Sequence, residues 1–276
     1  MIGPLRMILI LLALLMGPAA FAQPVSYPEP ADPLPGQTEW TYADLVQLVA
    51  PGITLSGSAY AGGQSLDIRH FAGWDDEGVM LPEAGPLHIS ALPLDSRLAL
   101  LLDFGPTEYD VSNIAILALF DLTSTPRLLD VANASSQRWT AFLPPAHIPL
   151  GTGADLLLTQ GTHHNSSQGY ATSTLILVRD DRFELIDMIS TFSEKFGTYE
   201  RTQSLDVEPV AAEPLADIVA VVTEDITIST ETRSDTAPEP GTSEITVTYH
   251  WDAAAGHYTA DSDAFELLAR ENEARY

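Results

Sequence analysis

The residues best placed to do chemistry in this chain are His163, His164 and Asn165, two adjacent imidazoles followed by a carboxamide. A neutral imidazole can serve as a metal ligand or a general base. A zinc site needs three or four ligands in set geometry, and no H-E-x-x-H motif supplies them. Asp103, Asp110 and Asp155 could complete a set only if separate stretches of the chain stack on one another. The triplet lies in the polar run 161–169, between two strongly apolar segments. It is therefore expected on a loop or strand end, where sites concentrate. Two uses are open. The first is a binding site made by His163, His164 and Asn165 in a protein without catalytic activity. The alternative is a metal-dependent hydrolase using His163 and His164. The sequence supports neither an assigned metal ligand set nor a cofactor.

Other chemistry-bearing groups read more plainly. Asp75-Asp76-Glu77-Gly78 and Asp180-Asp181 are acidic turns. Calcium takes six to eight oxygen ligands, and the alternating D-x-[DN]-x-[DN]-G loop is absent. Ser193-Glu194-Lys195 contains the sole lysine. A Ser–Lys pair requires a desolvated lysine, and the neighbours here are polar. Tyr249, Trp251 and Tyr258 could form an aromatic sugar- or peptide-binding face, or pack across a hairpin. There is no G-x-S-x-G, G-x-G-x-x-G or G-x-x-x-x-G-K-[ST].

These groups must be positioned mainly by strands. Leu98 to Leu102, Ile114 to Phe120 and Ile218 to Val222 are continuously apolar. A strand with one wet face would alternate, so continuous runs imply burial on both faces. With few helices available, sheets must cover sheets. Ile245, Val247, Tyr249 and Trp251 alternate with polar residues, which predicts a strand at a solvent face. The segments around Leu100, Ile116 and Arg127 recur near Leu156, Leu175 and Glu184, at offsets of about 57 residues, a period near those of propeller repeats. The expected fold is all-β: stacked antiparallel meanders, propeller-like or a sandwich. Thr41 and Asp44 resemble a capping box before a short N-terminal helix, and Asp263 and Glu266 open a C-terminal one.

The organisation read from the chain is a signal peptide at 1–22, a proline-rich tether at 23–36 and one β-rich domain at 37–276. Met7 to Met16 is an apolar run behind Arg6, closed by Ala20-Phe21-Ala22. It is too short to span a bilayer and has the form of a cleaved export signal. Five prolines among 23–36 favour an extended stretch. The formal net charge is −26, with 38 acidic and 12 basic residues. Such a surface repels phosphates, so nucleic acid is not an expected partner. There is no cysteine, which removes disulfides, thiolate chemistry and a lipid-bearing cysteine. The expectation is a periplasmic or secreted protein that binds or scaffolds an unknown protein or small molecule in a bacterial envelope, without stable membrane insertion.

Overall fold

The computed structural model describes residues 24–71, 78–106, 112–151, 153–229 and 237–275. The expected signal at 1–22, the acidic residues Asp75, Asp76 and Glu77, and Asp110 lie outside them. The described residues form seventeen strands and two helices. Helix α1 (Tyr42–Val49) opens where the Asp44 carboxylate accepts the Thr41 N–H at 2.7 Å. Five three-residue strands follow: β1 (Thr54–Ser56), β2 (Ala59–Ala61), β3 (Gln64–Leu66), β4 (Val79–Leu81) and β5 (Ala84–Pro86).

Two antiparallel meanders make up the body. β6 (His88–Leu94), β7 (Arg97–Pro106), β8 (Asn113–Asp121) and β9 (Arg127–Asn133) form a four-stranded sheet in chain order. An eight-stranded sheet, also in chain order, holds β10 (Trp139–Pro149), β11 (Asp155–His164), β12 (Gln168–Arg179), β13 (Arg182–Lys195), β14 (Tyr199–Pro209), β15 (Ile218–Ile228), β16 (Gly241–Asp252) and β17 (His257–Ala260). Helix α2 (Ala264–Glu273) packs on β13 and β16.

The layers explain the apolar strands. One face of the small sheet, with Leu98, Leu100, Ile116 and Phe120, packs on α1 and the short strands through Leu45, Val46 and Leu81. Its other face, with Leu101, Leu117 and Leu119, meets Leu157, Ile176 and Val178 of the large sheet. The reverse face of β11 and β12, with Leu156, Leu158, Leu175 and Leu177, meets Ile218, Ala220, Val247 and Tyr249. The large sheet therefore folds back on itself. The fold occurs between β13 and β14, whose ladder is only two residue pairs long, Glu194↔Arg201 and Lys195↔Glu200. The continuously apolar strands β7, β8, β11 and β12 occupy the middle layers, buried on both faces.

Of the two arrangements expected for an all-β chain, this is the layered one. The meanders are not separate blades, because β10 to β17 hydrogen-bond as one continuous sheet. In the β8–β9 and β12–β13 pairs the bulged residues are Leu129 and Ile186, which stand 57 residues apart. The aspartates that follow both tie layers together: Asp130 accepts the Phe183 N–H at 2.7 Å, and Asp187 accepts the Tyr249 hydroxyl at 2.6 Å.

Two expectations need correction. Ile218 to Val222 is not buried on both faces; Ile218, Ala220 and Val222 point inward, while Val219 and Val221 are only half-buried. The proline-rich stretch is docked from Ser26 onward. Ser26 exchanges both backbone hydrogen bonds with Ala91 on the edge of β6, at 2.9 and 2.8 Å, and Leu34 is 2% exposed. An edge strand has unpaired backbone groups that Ser26 satisfies, and Leu34, whose N–H donates to the Trp40 carbonyl at 2.9 Å, gains by burial against the α1 core.

The inner tyrosines give a pH signature. Burial, reinforced by Asp187, raises the Tyr249 phenol far above its ordinary value of 10.0. Burial and Asp217 push Tyr258 up to about 12. A phenol with a raised folded pKa stabilises the fold fully below the unfolded value and loses that stabilisation as pH rises through the folded one. Ultraviolet titration is expected to show these two tyrosines ionising late, with unfolding in the window above pH 10. Complete ionisation of all tyrosines near pH 10 in folded protein would contradict the placement.

Candidate binding cleft

Strands β11, β12 and β13 run side by side, so their registers set which side chains share a row. His163 pairs with Tyr170, and Tyr170 with Phe192; ring centroids are 6.4 and 5.1 Å apart. The next row on the same face is Gly161, Thr172 and Ser190. Gly161 is required here. A Cβ on it would fall 1.9 Å from the Ser136 carbonyl oxygen, so glycine lets the 136–137 backbone lie flat on the sheet. That backbone places Gln137, at φ +58, where its Nε2 donates to Thr172 Oγ1 at 3.4 Å.

The last turns of α2 make the other wall. Asn272 is 5% exposed, and its Nδ2 donates to the Ser190 carbonyl at 3.3 Å and to Gln203 Oε1 at 2.9 Å. Arg275 Nη1 donates to Asn272 Oδ1 at 2.7 Å, which fixes the amide orientation. Between these walls is a cleft of about 260 Å³, lined by Gln137, His163, Thr172, Ser190, Asn272 and Glu273 among others. Its polar lining is amides, hydroxyls, the His163 imidazole and the Glu273 carboxylate, beside the apolar Ala171 and Ala269.

The structure divides the expected triplet. Successive strand residues point to opposite faces. His163 enters the cleft, while His164 turns to the other face, where a Cβ on Gly169 would come within 2.7 Å of its Nδ1. Asn165 belongs to the hairpin turn: its Oδ1 accepts the N–H groups of Ser167 and Gln168 at 3.0 and 2.8 Å. The two imidazoles therefore do not converge. Among the described residues, no group of three or more His, Asp or Glu side chains is placed to hold a metal ion. His164→Ala is expected to change stability by no more than about 0.5 kcal/mol, the range of surface changes. His163→Ala, which breaks an edge-on ring contact, is expected to cost about 1 kcal/mol. Urea midpoints measure both, and a loss from His164→Ala exceeding that from His163→Ala would contradict the assignment of faces.

The sequence reading missed the buried ionic group. His147 Nε2 lies 2.7 Å from Asp155 Oδ1, and Arg97 Nη2 lies 2.8 Å from Asp155 Oδ2. All three are nearly buried, and Arg97 reaches across from the small sheet to the large one. His147 Nδ1 has no hydrogen-bond partner among the described residues, so no hydroxyl completes a nucleophile–base arrangement. The group is a clamp between sheets. Its signal in the sequence was the eight-residue spacing of His147 and Asp155 across the β10–β11 hairpin; the third member is 58 residues from Asp155.

The remaining candidates resolve structurally. Asp180 and Asp181, at φ +51 and +60, form the tight β12–β13 turn. Lys195 is an exposed strand end, 2.8 Å from Glu200, and is not desolvated. Trp251 pairs with Tyr258 across the last hairpin at 5.3 Å, with Arg179 over its ring at 4.7 Å. No helix among the described residues is long and apolar enough to cross a membrane. Comparison with models of protein families, with curated proteins and with solved structures gives no significant match.

Proposed function

We propose that this chain is an exported, non-catalytic binding protein of the bacterial envelope, and that the cleft around His163 takes a small, neutral, polar molecule. The observation that carries this is the lining itself. Gln137, Thr172 and Ser190 bring an amide and two hydroxyls from three separate elements to one volume of about 260 Å³, and Asn272 of α2 lines it with its amide held by Ser190, Gln203 and Arg275. Convergent, rigidly held polar groups in a concavity are what a binding site needs to orient a ligand. The volume sits below the usual 300–1,000 Å³ of drug-sized sites, so the ligand is small. No Lys or Arg lines the cleft, and the net charge is −26, which argues against an anion. No hydroxyl–imidazole pair is formed there to make a nucleophile, which favours binding over turnover. Export rests on the apolar run and small-residue site at the N-terminus.

A thermal-shift screen against sugars, polyols and neutral amino acids tests the reading. A ligand at about 100 times its Kd stabilises by roughly 2.7 kcal/mol, a rise of several degrees in Tm. That rise is expected to vanish in Thr172→Val, which keeps the shape of the side chain and removes the hydroxyl. Shifts that persist in Thr172→Val, or none across the screen, would overturn it. For the export half, N-terminal sequencing of the extracytoplasmic protein is expected to begin at Gln23.

A further inference from the structure

We propose that the free edge of β14 is a docking site for an extended, cationic peptide segment, which adds to the large sheet as a further strand. This inference is independent of the cleft. Antiparallel ladders alternate the side to which successive residues direct their backbone groups. The Phe196 N–H donates to the Tyr199 carbonyl at 2.9 Å, and the Val210 N–H to the Asp217 carbonyl at 2.8 Å. Odd-numbered residues of β14 therefore face β13, and even-numbered ones face β15. Arg201 finds its partner in Glu194. At Gln203 the ladder stops: the side-chain Oε1 of Gln203, instead of a backbone carbonyl, accepts the Phe192 N–H at 2.9 Å. Leu205 and Val207 continue the same edge, and among the described residues no strand pairs with them there.

This edge borders a groove of about 350 Å³. Its opposite wall is the irregular part of β10, where Leu143, Pro144 and Pro145 leave the ladder between Phe142 and His147. Prolines have no N–H to donate, and among the described residues that wall forms no ladder with the β14 edge. Leu158 lies at the groove floor, and Val219 and Val221 are half-buried beside it. An unpaired row of N–H and C=O groups beside apolar side chains is the arrangement that accepts an added strand. The backbone groups supply affinity, and alternate side chains of the guest enter the apolar groove. Asp206 and Glu208, both exposed, flank the site on a chain of net charge −26, and they select a guest carrying lysine or arginine at alternate positions.

The test uses purified protein labelled with ¹⁵N and a blocked hexapeptide alternating lysine and valine, with a glutamate–valine peptide as control. The expected result is saturable change and slowed exchange at the Leu205 and Val207 amides with the cationic peptide only, weakened by salt. Leu205→Pro removes one edge donor without touching the β14–β15 ladder and is expected to weaken binding at least tenfold. Asp206→Lys with Glu208→Lys, at exposed positions, is expected to invert the preference between the two peptides. Unchanged Leu205 and Val207 amides at millimolar peptide, or equal binding of both peptides, would overturn the proposal. Protection of the same amides by self-association without peptide, seen by sedimentation, would overturn it in favour of a second copy of the chain.

Discussion

Asp155→Ala is expected to lower folding stability by about 3–5 kcal/mol, among the largest losses available to any single change outside the apolar core. Asp155 is 8% exposed, and its carboxylate accepts from two cationic or polar partners, Arg97 at 2.8 Å and His147 at 2.7 Å. Bringing these groups into the interior has a large desolvation cost, offset only while the pairing holds. Removing the carboxylate leaves the Arg97 guanidinium, 14% exposed at its side chain, between two sheets with, among the described residues, only the more distant Asp181 at 3.8 Å to pair with. The loss appears in the urea midpoint. A double-mutant cycle with Arg97→Met is expected to be strongly non-additive, by up to about 3 kcal/mol, because both single changes break one contact. A loss under about 0.5 kcal/mol for Asp155→Ala would show that the clamp does not hold the sheets together.

Gly161→Ala is the second severe change, and it links stability to function. The new methyl would sit 1.9 Å from the Ser136 carbonyl oxygen and 2.5 Å from its carbon. Both are backbone atoms, so no side-chain rotation relieves the clash. Either β11 or the 136–137 segment must move, and overpacking of this kind costs about 1–3 kcal/mol. The segment that moves carries Gln137, so the cleft loses one of its four polar walls. Gly161→Ala is thus expected to fold with a lowered midpoint and to lose the ligand response described above. Retention of a full ligand-induced shift would show that Gln137 has no part in the site.

Much of the architecture was legible because burial leaves a direct mark on strand composition. Ile114 to Phe120 has no polar residue, and a strand of that kind has to lie between two layers, as β8 does. The same logic overreached at Ile218 to Val222, since valines at 219 and 221 are tolerated on a half-covered outer face. The choice between blades and a folded sheet was not legible. It turns on whether β13 pairs with β14, and two residue pairs at a hairpin leave no compositional trace. The docking of Ser26 was hidden for a related reason: backbone pairing to Ala91 depends on an edge being available 65 residues away.

The candidate site was half legible. His163 was singled out and does line the cleft, but a two-residue strand periodicity separates it from His164, and that followed only once the triplet was known to be strand and turn instead of loop. Gln137, Thr172 and Asn272 carry no motif. They come together because Gly161 admits a close backbone approach and because α2 returns to β13, with Asn272 meeting Ser190 82 residues away.

The most direct test of the binding reading is a ¹⁵N and ¹³C spectrum of the protein titrated with the strongest hit of the thermal screen. Saturable shifts are expected to centre on the His163 ring, the Thr172 and Ser190 backbone, and the Gln137 and Asn272 side-chain amides, with His164 on the opposite face unmoved. Shifts clustered elsewhere with the His163 resonances unchanged at saturation would contradict it.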